Sequence, residues 1–228
     1  MSRNRYVCTE MTNEQNTIMN LAAIVPEIHN VVATIQIECE PIDIHRLSIL
    51  LPYSTYDKSK FAAITIRLLE PTCTCLLFTS GKLVVTGAGS WEEALYTAYH
   101  VRDILKETHP GQSFEIVAYD VQNIVAHAEM GKGLFPPGGG DGSSTTSPPS
   151  SSLPAVMDLD AFYRDHFEEC TYQRSMFPGL IYRPLSASVV LLCFSSAKVV
   201  ITGGKSANQI FSEWERLVPV VARYVRPA

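Results

Sequence analysis

Residues 61–87 read FAAITIRLLEPTCTCLLFTSGKLVVTG, and residues 177–203 read FPGLIYRPLSASVVLLCFSSAKVVITG. Aligned on the first Phe of each, the two segments share Phe61/Phe177, Arg67/Arg183, Leu76/Leu192, Phe78/Phe194, Ser80/Ser196, Lys82/Lys198, Val84/Val200, and then Thr86-Gly87 with Thr202-Gly203. A repeat of roughly ninety residues is too long for a solenoid turn and implies a duplicated half-domain whose copies pack about a pseudo-two-fold axis. Within the first copy, Ile64, Ile66 and Leu68 alternate with Thr65 and Arg67, the signature of a half-buried strand, and Glu70-Pro71 breaks it. Cys75 to Phe78 and Lys82 to Thr86 then read as a hairpin turning at Thr79-Ser80-Gly81.

Outward from this stretch, residues from Ile28 alternate, with Asn30, Val32, Thr34 and Gln36 on one side and His29, Val31, Ala33, Ile35 and Ile37 on the other. Asp43 is placed to cap a helix with Ile44, Leu47, Leu50 and Leu51 on its apolar side, ending near Pro52, and Ser54 to Lys60 form a polar turn. From Ser90 to Glu107 the period becomes helical: Ala94, Ala98, Val101 and Leu105 make the stripe, with Leu95 and Ile104 widening it. Phe114 to Ala128 is one β-rich run in which Val121-Gln122-Asn123-Ile124-Val125 repeats Ile28-His29-Asn30-Val31-Val32, so the second half begins inside it without a linker. Asp158 caps a second short helix (Leu159, Phe162, Tyr163, Phe167), and Ala207 to Arg223 gives a last one with Ile210, Trp214, Leu217 and Val221. The expected organisation is a flexible tail over 1–23, repeat 1 over 24–120 and repeat 2 over 121–228, with a Gly/Ser/Thr/Pro-rich insertion at 131–154 whose composition cannot offset its ordering entropy. The expected fold is α+β: a pseudo-two-fold saddle of two repeats, with a curved antiparallel sheet and helices on its convex face.

At 228 residues and 46% hydrophobic the chain can bury a sizeable core, and a net charge of -5 excludes indiscriminate attraction to polyanions. No apolar run approaches the roughly eighteen residues of a membrane span, and no signal-peptide stretch opens the chain, so an intracellular protein with no membrane partner is expected. The six cysteines, Cys8, Cys39, Cys73, Cys75, Cys170 and Cys193, form no C-x-x-C pair and read as buried or half-buried free thiols, and no metal or cofactor is expected.

With helices on one face, the other face should be polar, yet alternation puts Asn30, Val32, Leu76, Phe78, Val84 and Thr86 there, and Asn123, Val125, Leu192, Phe194, Val200 and Thr202 from the second half. An apolar strip of that extent marks a binding surface or a dimer interface. Two Phe residues lie at each end of it, and Lys60, Arg67, Lys82, Arg183, Lys198 and Lys205 surround it. A partner flat and apolar in the middle, anionic along both margins and nearly two-fold symmetric is a DNA minor groove opened by wedges. Asn and Thr can meet the acceptors that A·T and T·A share, while a guanine amino group over a Val or Leu floor is left unpaired.

The motifs NVVATI, KFAAITIR, LFTSGKLVVTGA, VQNIV, FPGLIYR and FSSAKVVITG resemble the saddle domain of TATA-box-binding proteins (TBP) and TBP-related factors, over about residues 25–225 apart from the insertion. Sheet-in-minor-groove binding with kinking is a known property of that family, which the resemblance carries over. It implies that Phe61 with Phe78 and Phe177 with Phe194 are intercalating pairs, and that Asn30, Asn123, Thr86 and Thr202 are central hydrogen-bonding groups. It makes Val32, Val125, Leu76, Leu192, Val84 and Val200 the apolar floor, with Arg67, Arg183, Ser80, Ser196, Lys82 and Lys198 on phosphates. It also implies a non-enzymatic transcription initiation factor of the nucleus, bound to A·T-rich promoter duplex, with TFIIA/TFIIB-like or lineage-specific initiation factors as partners and RNA polymerase machinery reached through them.

The chain departs from that pattern in ways that point to a divergent TBP-related factor. Family members are basic; here Gly89 stands opposite Lys205, and Leu69, Thr72, Ser186 and Ser188 occupy places usually cationic. Ala197 replaces the glycine expected before Lys198, Tyr172-Gln173-Arg174-Ser175-Met176 replaces a loop usually carrying glutamates for TFIIB, and the long helix WEEALYTAYHVRDILKE is not basic. Weak unaided DNA binding is expected from the lost cations. A rival reading keeps the fold as a scaffold with little direct TATA binding. An enzyme reading finds no Ser/His/Asp or Cys/His set, and GGGDG lies outside any strand-to-helix turn.

Overall fold

A computed structural model describes residues 21–134 and 155–228. In the first half, β1 (Glu27–Glu38) is followed by α1 (Ile44–Leu50), the two-residue β2 (Ser54–Thr55), β3 (Ala63–Leu69), β4 (Thr72–Phe78), β5 (Lys82–Ala88) and the long α2 (Trp91–Thr108). β6 (Glu115–Glu129) crosses into the second half, where α3 (Gly131–Leu134), β7 (Ala155–Met157), α4 (Leu159–Asp165), β8 (Cys170–Thr171), β9 (Leu180–Tyr182), β10 (Val190–Cys193), β11 (Lys198–Gly204), α5 (Ala207–Ala222) and β12 (Val225–Pro227) follow.

Ten strands form one antiparallel sheet in the order β2-β3-β4-β5-β1-β6-β11-β10-β9-β8. The order is symmetric about the β1–β6 junction, as the repeat requires. At that junction Asn30 faces Val125 and Val32 faces Asn123 across the two strands, so each half supplies the same Asn-Val pair to the other. Three register shifts along β1–β6 mark bulges, each of which adds local twist.

Local chemistry explains the helices. Ser90 and Ser206 cap α2 and α5 by accepting from the backbone N–H of Glu93 and Gln209, and Asp43 and Asp158 cap α1 and α4 in the same way through Arg46 and Ala161. α2 buries Ala94, Ala98, Val101 and Leu105 completely, and α5 buries Ile210, Trp214, Leu217 and Val221. Each large side chain so buried contributes about 1.5–3 kcal/mol. These stripes rest on Val31, Ala33, Ile35, Ile37, Val85, Ile124, Ala126, Val199 and Ile201, the inward face of the central strands, in one continuous core.

Several sequence expectations change. Leu50, Tyr163 and Phe167 are exposed, because α1 and α4 are under two turns long and bury only Ile44 with Leu47 and Leu159 with Phe162. The turn at 54–60 contains β2, which extends the sheet edge against β3. Residues 155–157 and 225–227 pair as a separate two-stranded ladder. Of the expected tail, residues 1–20 lie outside the described residues, whereas Leu21–Ala23 form a short 3₁₀ turn and the Ile24 carbonyl accepts from Trp214 Nε1 at 2.7 Å. Most of the expected insertion likewise lies outside them, but its first residues form α3, with Leu134 fully buried.

Candidate nucleic-acid interface

On the strands that bury one face, the alternate residues Val32, Val84, Leu76, Val125, Val200 and Leu192 are half-buried. No described element covers them. The strip expected from alternation is therefore present and open, with both Asn residues at its centre.

Each Asn is fixed by its own half. Gly87 N donates to Asn30 Oδ1 at 2.7 Å and Gly203 N to Asn123 Oδ1 at 2.8 Å, with Thr86 Oγ1 and Thr202 Oγ1 at 3.4 and 3.2 Å from the same oxygens. These glycines sit at φ +97° and +98°, in the left-handed region, where the sheet register shifts. That conformation turns their N–H groups out of the ladder and explains why Thr-Gly is written twice. Asn123 Nδ2 also lies 3.2 Å from Thr202 Oγ1; with Oδ1 occupied by a backbone donor, the amide hydrogen not used there is left to donate outward, matching the acceptors A N3 and T O2 of a minor groove.

The four rings stand at the two ends. Phe61 and Phe78 are 5.9 Å apart between centroids at 65°, and Phe177 and Phe194 are 5.8 Å apart at 67°. Phe61 is 48% exposed and the other three are half-buried, so no ring is lost to the core. In the second pair, Gly179 lies beneath both rings: a Cβ there would stand 2.8 Å from Phe177 and 3.0 Å from Phe194. The first half has the buried Ala63 at that place.

All the expected phosphate contacts, Arg67, Arg183, Ser80, Ser196, Lys82, Lys198, Lys60 and Lys205, are exposed. Two of the cations already have acidic neighbours: Lys60 Nζ lies 3.1 Å from Asp57, and Lys198 Nζ 3.7 Å from Glu129. In the loop before Phe177, Arg174 donates to Asp160 and to the Tyr172 hydroxyl. Ala197 is the left-handed residue expected to strain its turn, at φ +58°.

One residue is on the other side of β1 from where alternation places it. A register shift between Ile28 and Asn30 carries His29 out of phase, and its ring stacks on His127 with centroids 4.2 Å apart. His127 was missed although it continues the alternation of Asn123 and Val125. His127 is exposed at the surface, and partial desolvation of its ring, followed by the charges of His29 and Lys198, holds its imidazole pKa below the ordinary value.

Buried Cys75 is pushed up to about 12, chiefly by desolvation, and so is Cys170, which makes them inert structural thiols. Among the described residues no His/Cys/Asp/Glu group could hold a metal ion, and no helix is long and apolar enough to cross a membrane.

Comparison with known proteins agrees in both sequence and structure. Residues 25–108 and 150–224 match the family described as transcription factor TFIID (or TATA-binding protein, TBP). The TATA-box-binding protein of Acetabularia peniculus is 29% identical over 94% of this chain and 98% of its own. That of Acanthamoeba castellanii is 29% identical over 94% of this chain and 73% of its own. The TATA box-binding protein-like 2 of Rattus norvegicus is 30% identical over 92% of this chain, which spans about half of that relative's length (53%). Among solved structures, Methanococcus jannaschii TBP superimposes with a TM-score of 0.64 at 29% identity, over 87% of this chain and 98% of its own. Two copies of one half-domain in a ten-stranded antiparallel sheet, backed by helices and matched along both halves, make this chain a member of the TBP family of transcription factors, a family without enzymatic activity.

Proposed function

We propose that the chain binds promoter DNA in the minor groove through its open sheet face, kinks it with the two Phe pairs and nucleates assembly of initiation factors and polymerase in the nucleus. The observation that carries this reading is the matched geometry of Phe61–Phe78 and Phe177–Phe194 at opposite ends of an uncovered apolar strip. Unstacking a base step costs a few kcal/mol, and burying each Phe returns about 1.5–3 kcal/mol, so two rings per kink roughly offset it. The Asn30 and Asn123 amides supply A·T over G·C preference, and easily unstacked TA steps lower the deformation cost.

A second reading, a scaffold that assembles transcription factors with little direct TATA contact, is favoured by one feature: Asp57 and Glu129 stand beside two of the cations on a chain of net charge -5. Partners that read glutamates before Phe177, or a basic long helix, meet instead an Arg174 held by Asp160 and an α2 bearing Glu92, Glu93 and Glu107. Lineage-specific initiation factors therefore fit this surface better than a general TFIIA/TFIIB set.

The deciding experiment titrates a fluorescent A·T-rich duplex with the full chain and with the Phe78→Ala/Phe194→Ala variant, following both affinity and duplex bending. The DNA reading expects bending by the wild type and loss of at least about tenfold in affinity in the variant. Equal binding by both would leave the scaffold reading.

A further inference from the structure

The two halves differ at one place on the open face. Counted from Asn30 and Asn123, His127 stands where the first half has Thr34, and His29 stands where the second half has Gln122. The stacked imidazoles thus have no counterpart across the pseudo-two-fold axis. His127 pairs in register with Val200, on the floor, and both histidines line a cavity of about 550 Å³ with Phe194, Ser196, Lys198 and Val200, residues already assigned to DNA contact. The pair therefore lies beside the Phe177–Phe194 wedge alone.

We propose that His29 and His127 are a hydrogen-bond-donating reader of the groove floor, confined to the Phe177–Phe194 half, whose grip on A·T pairs tightens on protonation. This rests on the minor-groove reading above. Thr34 and Gln122 can donate or accept, so they tolerate either base pair. An imidazolium only donates: it satisfies A N3 or T O2 and opposes the guanine amino group.

The surroundings poise His127 for a change of state. Facing the pair are Glu27 from β1, whose Oε2 is 3.9 Å from His29 Nε2, and Glu129 and Lys198 from β6 and β11, 3.7 Å from each other. The segment 23–25 that borders the cavity carries no charge. In the free protein partial desolvation, His29 and Lys198 disfavour a proton on His127. A groove lined by phosphates reverses that field, while the 4.2 Å stack opposes charging both rings, so the complex takes up one proton. Binding then strengthens as pH falls and the gain is lost as pH rises through the histidine range.

The experiment measures anisotropy of an A·T-rich duplex at fixed salt with the full chain and with His127→Gln, His29→Gln and the double variant, since Gln keeps a donor but cannot titrate. The wild type is expected to bind about five- to tenfold more tightly at about pH 6 than at about pH 8, and the double variant to vary by less than about twofold. Thermal unfolding checks each fold; His127 is exposed, so its substitution leaves the core untouched. A wild-type profile that is flat, or one shared by the double variant, overturns the inference while leaving the DNA reading intact. Absence of duplex binding by the wild type at every pH removes the DNA reading and this inference with it.

Discussion

Ala197 stands at φ +58° in the turn where the first half has Gly81 at φ +77°, each N–H bonded to the carbonyl of the Phe three residues before it. A Cβ is disfavoured in that conformation, by about 1–2 kcal/mol. Ala197→Gly is expected to stabilise the chain by about 0.5–1 kcal/mol after loss of the buried methyl, read as a higher urea midpoint. Gly81→Ala should cost about 2 kcal/mol or more, because its Cβ would meet the Ile37 carbonyl at 2.1 Å. A midpoint lowered by Ala197→Gly would contradict this.

Gly179→Ala puts a methyl under both rings of the second pair. Stability should fall by about 1 kcal/mol, since the half-buried rings can shift but the Cys193 carbonyl, 3.2 Å from the new Cβ, must also give. Duplex bending should fall, and the matching Ala63→Gly should leave bending intact. Equal bending by Gly179→Ala and wild type would show that ring placement there is not critical.

Asn123→Asp keeps the acceptor for Gly203 N–H but removes the outward amide donor and adds a negative charge. Unfolding should shift by less than about 0.5 kcal/mol while duplex affinity drops at least about tenfold. A parallel loss of both would mean that the side chain acts on the fold alone.

Six cations ring the face, but Lys60 and Lys198 are held by Asp57 and Glu129. With the other four on phosphates, log K against log salt should fall with a slope of roughly -4, and unaided binding should be weak. A slope near -7, or tight binding at moderate salt, would require contacts beyond these.

In the absence of DNA, His127 affects stability with the opposite sign to its effect on the complex. Its folded pKa lies below the ordinary value, so the unfolded chain binds that proton more readily. Stability is full above the ordinary histidine range and declines as pH falls through it. His127→Gln should therefore show a smaller loss between about pH 7 and about pH 5 by thermal denaturation.

The repeat made most of the fold legible, because two copies of one alternation must share their buried and open faces. Val31 and Ile35 against Val32 and Thr34, and Leu77 against Leu76 and Phe78, lie as spacing requires. Two-residue strands such as β2 and β8 leave no period to read, and the 155–157 ladder pairs with residues far along the chain. His29 escaped because a bulge breaks the phase that alternation assumes. Which side chains lie on the open face was legible; the fixed orientation of the Asn30 and Asn123 amides was not, since it depends on glycines more than fifty residues away. Gly179 escaped because what matters there is a missing methyl.

β6 runs for fifteen residues without a break, closing the first repeat and opening the second in one stroke. No joint therefore lies between the halves, and cutting the chain there would strip β1 of one of its two neighbours and leave a raw edge on each piece. If the Phe pairs act on a duplex as proposed, torque at one pair would reach the other through a continuous beam, and the two ends of the duplex would be levered in concert.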